Sequence, residues 1–440
     1  MEIKKETIIQ RVKDAGIVGC GGAGFPTHVK ISSSVDTVIA NGAECEPLIK
    51  TDQFLMKEKA GEIIRGLKYV LLTTEAEKGV LALKAKYHEE ISSLKKQILP
   101  GIEIFELEDF YPAGDEHVLV NEITGRVIPE GGIPLDVGVV VDNVATLRNI
   151  ALAVEKNQPV VRRFVTITGE VEKPVILNCA IGTEISQVLK IAQPLYENFV
   201  LISGGPMMGE IVSPQDVITK TTNAIIVLSE DSPVIWRKKM QNTVSKRRAK
   251  SICDQCMDCT ITCPRNLLGH RLKPHEIMRM NFFESGEFNE KTSSVFLCSQ
   301  CGLCEIACPQ GLSPRKVIKA IRDEFIKKGF KNILLNKNPQ VHSEKNLRKF
   351  SQGRVKNRLG IYKLDRQAQI VEKDVVPEKV KIPLKQHVGA PSIPVVQPGA
   401  EVKEGDLIAK IPQNALGANV HASISGTVVK VDEEFIYIEA

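Results

Sequence analysis

The sequence has no uninterrupted apolar run close to the ~20 residues that a membrane-spanning helix needs. It also has little net charge: 58 basic and 53 acidic side chains leave +5, which is too weak to indicate a nucleic-acid partner. The stretch from Met1 to Glu6 is polar and charged, so it does not resemble a secretory signal. These absences predict a cytoplasmic protein that binds no nucleic acid and does not insert directly into a membrane.

Catalytic patterns that work without a cofactor are also lacking. We recognise no Ser-His-Asp, paired-carboxylate or phosphoryl-transfer constellation in the 440 residues. Any catalysis should therefore come from a bound cofactor that the protein positions. The length suits about three domains of ~150 residues each.

Cysteines dominate what is present. Eight of the 11 form two runs of identical spacing, Cys-x2-Cys-x2-Cys-x3-Cys-Pro. This spacing is typical of [4Fe–4S] cubanes, and in two-cluster proteins the fourth cysteine of each run ligates the other cluster. We therefore assign Cys253, Cys256, Cys259 and Cys308 to one cluster, and Cys298, Cys301, Cys304 and Cys263 to the second. Zinc usually needs two separated Cys-x2-Cys pairs, and disulfides do not suit a reducing cytoplasm, so two cubanes are the prediction.

A glycine-rich loop, Gly19-Cys20-Gly21-Gly22-Ala23-Gly24, occurs near the N-terminus. Such a loop lets backbone N–H groups approach an anion closely, and Lys30 can add positive charge. The spacing is not the dinucleotide fingerprint Gly-x-Gly-x-x-Gly, so a phosphate-binding loop and a plain tight turn are both open from the loop alone.

Strands alternate with helices over the first 160 residues, which predicts a parallel sheet covered on both faces. We place strands at 36–40, 79–85, 102–107 and 137–141, and helices at 3–15, 51–68 and 86–98. The first helix should pack on its own domain; a docking or encapsulation tag is the alternative. Polar groups follow several strands, at the carboxyl edge where open α/β sheets bind ligands.

The remaining chain divides into four parts by its patterns. Residues 161–235 suit a small α+β domain, 245–330 a mostly helical cluster domain, and 331–378 a polar linker wrapped on the surface. Residues 379–440 show short strands with the rhythm of a lipoyl- or biotinyl-type barrel-sandwich. Ala415 stands where such carriers have their lysine, so this unit should be structural or a docking surface and not a swinging arm.

Two short stretches have default interpretations as connectors. Residues 237–250 carry seven basic side chains, which predicts a solvated linker, although positive charge near a cluster also favours its reduced form. Gly204 to Gly209 is a glycine-rich turn, for which a plain connector is favoured over a second flavin-side loop.

These motifs together resemble a known family. The glycine loop, Asn-Gly-Ala-Glu-Cys-Glu-Pro, Tyr-Pro-Ala-Gly-Asp-Glu, Asp-Asn-Val-Ala-Thr, the two cysteine runs and the barrel-sandwich are similar to the Rnf-complex C protein, whose flavin domain is shared with the NADH-binding 51 kDa subunit of complex I. Rnf C proteins carry the barrel-sandwich at the N-terminus. Its C-terminal place here resembles the cobalamin reductases of propanediol utilisation.

The resemblance implies a multidomain α/β fold with four units. These are a parallel-sheet FMN- and NADH-binding domain (1–160), a small β-grasp (SLBB) domain (161–235), a helical two-cluster ferredoxin-type domain (245–330) and a C-terminal all-β barrel-sandwich hybrid (379–440).

The resemblance also implies cofactor positions. FMN phosphate would lie on Gly21, Gly22, Gly24 and Lys30, with the flavin ring and ribityl chain near Asn41, Glu44, Tyr111, Asp115, Asn143 and Thr146. NADH would stack near Phe25, with the catalytic candidates Glu46 and Glu116 close to its ribose or amide. Ala43, Asp142, Ile31 and Ser33 depart from the complex I pattern.

The implied function is an NADH-dependent iron–sulfur flavoprotein that passes electrons through FMN and two [4Fe–4S] clusters to cobalamin. The sequence has no Asp-x-His-x-x-Gly motif, so cobalamin would be a visiting substrate. Expected partners are an adenosyltransferase and the shell or enzyme proteins of a bacterial microcompartment. The alternatives are the NADH-input subunit of an Rnf-type membrane complex and a non-catalytic electron carrier or scaffold.

Overall fold

The computed structural model describes residues 3–280 and 288–440. The first unit is a four-stranded parallel sheet in the order β3-β2-β1-β5. Its strands, and the short β4 outside the sheet, are β1 (Thr37–Gly42), β2 (Lys78–Lys84), β3 (Ile102–Leu107), β4 (Phe110–Tyr111) and β5 (Val139–Asn143). Its helices are α1 (Lys5–Asp14), α2 (Thr27–Lys30), α3 (Thr51–Glu58), α4 (Ala60–Thr74), α5 (His88–Lys95), α6 (Glu116–Thr124) and α7 (Val144–Lys156).

Helix packing explains two features of this unit. A Cβ atom added to Gly66 on α4 would stand 1.9 Å from the Leu147 carbonyl oxygen on α7, so only glycine allows the two helices to approach this closely. Ile8 and Val12 of α1 are fully buried in the core, so the apolar face of this helix is already packed within the protein. The single helix predicted at 51–68 is wrong: the backbone leaves the helical region at Lys59 and divides α3 from α4.

The second unit is a mixed sheet whose central strands β6 and β10 are parallel, while the flanking pairs are antiparallel, as in a β-grasp fold. Its elements are β6 (Arg162–Gly169), β7 (Val175–Ala180), α8 (Ile185–Ala192), β8 (Phe199–Ser203), β9 (Glu210–Val212) and β10 (Ala224–Ser229). The apolar face of α8 packs on this sheet because Ile185, Val188 and Leu189 recur at helical spacing.

The cysteine-rich unit is helical. Its helices are α9 (Pro233–Lys239), α10 (Asn242–Ile252), α11 (Asp258–Ile261), α12 (Pro264–Leu267), α13 (Pro274–Met280), α14 (Glu290–Ser293), α15 (Leu303–Ala307) and α16 (Pro314–Lys327). The solvated linker predicted at 237–250 is wrong, because these residues belong mainly to α9 and α10. The Arg248 guanidinium lies over the ring of Trp236 at 5.1 Å and joins the two helices, and Lys238 donates to the Met207 carbonyl at 3.5 Å.

Residues 331–378, which we call the strap, connect the cluster unit to the C-terminus. The strap carries β11 (Phe350–Ser351), α17 (Gln352–Leu359) and β12 (Gln369–Ile370). Strand β11 pairs antiparallel with β4, and β12 pairs parallel with β7. Val355 and Leu359 are buried, so this polar segment adds one strand and apolar contacts to other units.

The C-terminal unit consists of two facing sheets, β13-β19-β18-β15 and β14-β16-β17. Its strands are β13 (Lys379–Pro383), β14 (Ile393–Pro394), β15 (Glu401–Val402), β16 (Leu407–Lys410), β17 (Val420–His421), β18 (Gly426–Val431) and β19 (Phe435–Glu439). Buried Lys220 joins this unit to the N-terminal region by donating to the carbonyls of Gly16 at 2.7 Å and Asn419 at 2.6 Å.

The predicted fold class, a multidomain α/β protein with these four kinds of unit, is confirmed. Across the described ranges, no helix combines the length and the apolar character that crossing a bilayer requires.

Candidate functional site

The glycine-rich loop lies beside the carboxyl end of β5. A Cβ atom added to Gly21 would stand 3.1 Å from the Asn143 Cβ atom, and nothing lies within 4 Å of such an atom at Gly22. Both glycines are exposed. The loop therefore leaves open space in front of a strand end, as an anion held by backbone N–H groups requires.

Buried contacts anchor this loop on both sides. The Cys20 N–H donates to Thr146 Oγ1 at 2.9 Å, and Arg163 donates to the Cys20 carbonyl at 3.2 Å. Gly24 has a φ of +75°, and a Cβ atom there would stand 3.1 Å from the His387 Cα atom. The structure thus packs Gly24 against the C-terminal unit, whereas the resemblance implied a contact with the FMN phosphate.

Lys30 stands at the same edge of the sheet. Its Nζ donates to the Val141 carbonyl at 2.8 Å and lies 3.4 Å from Asp142 and 3.9 Å from Glu116. Burial acts to lower the pKa of Lys30, but the two carboxylates raise it overall, so the ammonium is charged at neutral pH. Burial raises the pKa of Asp142, and its Oδ2 atom has no hydrogen-bond partner within the described residues. A cation beside an unsatisfied carboxyl oxygen suits a ligand that bears both phosphate and hydroxyl groups.

Asn41 and Asn143 are neighbours in the parallel register of β1 and β5. Asn41 donates to the Gly114 carbonyl at 3.0 Å and accepts from the Ala43 N–H at 3.2 Å. Asn143 caps α7 by accepting from the Ala145 N–H at 2.9 Å. Adjacent strand ends therefore present two amides to the space in front of the glycine loop.

Glu44 is a carboxyl group that can exchange a proton near neutral pH. It accepts from the Asp52 N–H at 2.7 Å and from Gln53 Nε2 at 2.6 Å. Burial, together with the Asp52 carboxylate, raises the pKa of Glu44 to about 7. Asn143 donates to Asp52 at 2.7 Å, so both carboxyl groups belong to the same hydrogen-bonded set. A cavity of about 210 Å³ reaches Glu44 and Glu46 from the side of the strap.

Glu46 is held by the turn from Gly204 to Gly209. Its carboxylate accepts from the Met207 N–H at 3.0 Å and the Met208 N–H at 2.8 Å. A Cβ atom at Gly205 would stand 2.0 Å from Glu46 Oε2, so the turn needs glycine at this point of contact. Burial raises the pKa of Glu46. The plain connector predicted for this turn is wrong, since the turn covers a candidate catalytic residue.

The other two residues implied for NADH are more open. Phe25 is 37% exposed, and the Glu116 side chain is 49% exposed. Glu116 lies on the first turn of α6, near Lys30. These groups can meet a dissociable ligand from solvent, whereas Glu46 is already satisfied by backbone donors.

Tyr111 and Asp115, both implied near the flavin, contact the cluster unit directly. The fully buried Tyr111 donates its hydroxyl to the Cys301 carbonyl at 2.6 Å. Asp115 forms an ion pair with Arg265 at 2.5 Å, and both side chains are only 10% exposed. Burial acts to raise the pKa of Asp115, but the Arg265 guanidinium lowers it overall. Because Arg265 follows Cys263-Pro264, both contacts end beside ligands of the same predicted cluster.

The two cysteine runs fold into matching loops. Gln255 donates to Cys253 Sγ at 3.1 Å, and Gln300 donates to Cys298 Sγ at 3.3 Å. Four residues at equivalent places in the loops have positive φ: Gln255 (59°), Met257 (70°), Gln300 (61°) and Gly302 (80°). Hydrogen bonds to cluster sulfurs are among the features that set reduction potential.

The electrostatic neighbours of the thiols follow the crossed ligand pattern. Burial raises the pKa of Cys259 to about 12, with further contributions from Cys308, Cys253 and Cys256. Burial also raises the pKa of Cys263, with contributions from Cys301 and Cys298. Thiolates must form when iron binds, so cluster loading would release protons from these groups.

No three His, Cys, Asp or Glu side chains among the described residues converge on a position for a single metal ion. A cubane differs because its irons occupy separate corners, each with its own thiolate ligand.

Sequence reasoning missed three side chains that organise this region: Arg163, Asp52 and Arg265. Arg265 had a local signal, since it directly follows a ligand run. Arg163 had none, because its partner Cys20 is 143 residues away in the chain.

Comparisons with known families match three parts of the chain. The Nuo51 FMN-binding domain matches residues 12–152, a 4Fe-4S dicluster domain matches 252–313, and the RnfC barrel sandwich hybrid domain matches 359–439. The last match begins within α17 of the strap, ahead of the predicted boundary at residue 379.

Curated relatives extend the likeness over almost the whole chain. "Cobalamin reductase PduS" of Citrobacter freundii is 39% identical over 438 residues, which cover 98% of this chain and 96% of the relative. The same protein of Salmonella typhimurium strain LT2 is 38% identical, with 100% and 97% covered. The RnfC-type component of the Na(+)-translocating ferredoxin:NAD(+) oxidoreductase complex of Acetobacterium woodii is 34% identical, with 66% and 64% covered.

A solved structure shows the same fold. The NAD+-reducing [NiFe]-hydrogenase in its H2-reduced state aligns with a TM-score of 0.50 at 19% identity, over 74% of this chain and 62% of the other.

Proposed function

We propose that this chain, which belongs to the PduS family of cobalamin reductases, passes electrons from NADH to cobalamin. The chain is an iron–sulfur flavoprotein with an FMN-binding domain and a 4Fe-4S dicluster domain. The observation that carries the proposal is the direct contact between these two units, from Tyr111 to the Cys301 carbonyl. A redox enzyme that spans two cofactor types needs such a fixed junction between them.

The proposed overall reaction balances as NADH plus two cob(II)alamin giving NAD+, one proton and two cob(I)alamin. FMN would accept the hydride and two [4Fe–4S] clusters would carry single electrons, which such clusters can do at potentials as low as about −700 mV. Gly21, Gly22 and Lys30 would bind the FMN phosphate. Asn41 and Asn143 would orient the rest of the flavin, and Glu44 would hold a proton beside it.

The Lys30→Ala variant is expected to bind FMN roughly tenfold to a hundredfold more weakly, because a charge-assisted hydrogen bond contributes roughly 1.5–3 kcal/mol. Titration of the flavin-free protein with FMN, followed by fluorescence, measures this affinity. Lys57→Ala is the matched control, since Lys57 is an exposed lysine paired with Glu89. A double variant with Asp142→Asn removes the carboxylate that Lys30 would leave unpaired. Unchanged FMN affinity in Lys30→Ala would place the phosphate elsewhere.

The cobalamin would be a visiting substrate, and an adenosyltransferase would consume the cob(I)alamin. A microcompartment would keep these partners together. The Rnf-type alternative is weaker, because the Acetobacterium woodii relative covers 66% of the chain and the cobalamin reductases cover 98% or more.

An anaerobic assay tests the proposal. NADH, the purified protein, cob(II)alamin and an adenosyltransferase are combined, and adenosylcobalamin formation is followed. Product above the control that lacks this protein is expected. No product from a sample that still reduces a dye with NADH would favour another acceptor. A sample that reduces neither would indicate a carrier or scaffold.

A further inference from the structure

We propose that the two predicted clusters have a fixed order, and that electrons leave the protein at a surface beside Cys256. In this order the inner cluster is that of Cys298, Cys301, Cys304 and Cys263. The outer cluster is that of Cys253, Cys256, Cys259 and Cys308. The identity of the acceptor at this surface rests on the proposed function, whereas the order of the clusters does not.

The inner cluster is identified by its junction with the flavin unit. Asn41, at the carboxyl end of β1, donates to Gly114 at 3.0 Å, and Tyr111 of the same loop donates to the Cys301 carbonyl at 2.6 Å. The second contact, between Asp115 and Arg265, lies two residues from Cys263. Two independent contacts thus join the flavin-side strand ends to ligands of one cluster.

Burial separates the two clusters in the same direction. The inner ligands Cys263, Cys301 and Cys304 are between 7% and 9% exposed, whereas Cys256 is an exposed thiol. The charge of Cys259 acts on Cys304, which shows that the two ligand sets are neighbours. The path from buried to exposed thiols therefore runs from the flavin unit outward.

The surface beside the outer cluster has a defined composition. It consists of Ile252, Asp254, Met257, Pro309 and Gln310, which we call the exit collar. Ile252 is 42% exposed and Met257 is 43% exposed, and each is adjacent in sequence to a cluster ligand. Gln310 donates to Asp254 at 3.3 Å and holds the two segments of the collar together.

This collar suits cob(II)alamin as its occupant. The faces of a corrin ring are apolar and its edge bears amide side chains. Ile252, Met257 and Pro309 offer apolar contact, while Asp254 and Gln310 offer an acceptor and an amide to the ring edge. One electron moves at a time: cobalt(II) becomes cobalt(I), the outer cluster is oxidised by one electron, and the inner cluster replaces that electron.

The order of the clusters is tested without cobalamin. The anaerobic holoprotein is treated with an iron chelator, and iron release and electron paramagnetic resonance are followed together. The first iron lost should belong to the cluster whose signal is missing in a Cys256→Ala sample, with the other signal intact. Simultaneous loss, or earlier loss of the signal that depends on Cys301, would overturn the order.

The junction is tested by Tyr111→Phe. This variant should retain iron and FMN but slow cluster reduction by NADH severalfold in rapid-mixing experiments. An unchanged rate would remove Tyr111 as a positioning residue.

The exit collar is tested by Met257→Glu and Ile252→Glu, which place a carboxylate on the proposed contact without touching a ligand. Both should lower the rate of cob(II)alamin reduction at least tenfold, while NADH still reduces both clusters to the wild-type extent. Leu347→Glu is the control, because Leu347 is an 85% exposed residue of the strap. Wild-type rates in both collar variants would overturn the docking site. If the wild-type protein reduces no cobalamin, the proposed function fails while the chelator result still decides the order.

Discussion

Replacing Cys256 by alanine is expected to reduce the iron content of the anaerobically reconstituted protein from about eight atoms to about four, because each cubane holds four irons. The other ligand run keeps all of its own thiolates in this variant. Iron analysis and electron paramagnetic resonance measure the result, and one of two cluster signals should disappear. FMN should remain bound, since no flavin-side residue is changed.

Cys45→Ala is the control for this variant. Cys45 is a half-buried thiol outside both cysteine runs, so about eight irons should remain. A wild-type protein with four or fewer irons after full reconstitution would contradict the assignment of two clusters.

The Arg265→Met variant is expected to lose about 3–5 kcal/mol of stability, because it leaves the buried carboxylate of Asp115 without its partner. The midpoint of thermal unfolding of the holoprotein measures the loss. Adding Asp115→Asn should restore much of it, since the orphaned charge is then removed.

Arg348→Met is the matched control. Arg348 pairs with Glu344 one helical turn away, both side chains are at least 41% exposed, and such surface pairs contribute about 0.3–0.5 kcal/mol. Equal destabilisation in the two arginine variants would mean that the contact between Arg265 and Asp115 does not stabilise the junction.

The sequence alone predicted features that depend on local spacing. The ligand runs were visible because three thiolates of each cluster lie on one short loop. The strand ends at Asn41 and Asn143 were visible because buried strands and the polar residues after them are contiguous. The fold class followed from these patterns together with the family resemblance.

Contacts between distant segments were not predictable in the same way. Nothing near Glu46 shows that its partners are the amides of Met207 and Met208, 161 and 162 residues away. Gly24 matched a phosphate-binding loop, yet its position is decided by the approach of His387. A periodic pattern identifies an element but does not say which segment will pack on it.

The strap shows the same limit. Its composition predicted a surface linker, but Phe350 pairs with Tyr111 and Gln369 pairs with Val175. Two-residue strands leave almost no alternating pattern in a sequence. A chain cut at the predicted boundaries would therefore separate these paired strands.

The position of Trp236 gives the protein a built-in optical probe. It is the one tryptophan of the sequence, and its ring lies under Arg248 of α10, the helix that leads directly to Cys253. Indole fluorescence excited at long wavelength thus originates from a single place beside the outer ligand run. Iron–sulfur clusters absorb in the range where indole emits, so its fluorescence lifetime reports cluster assembly in the unlabelled protein.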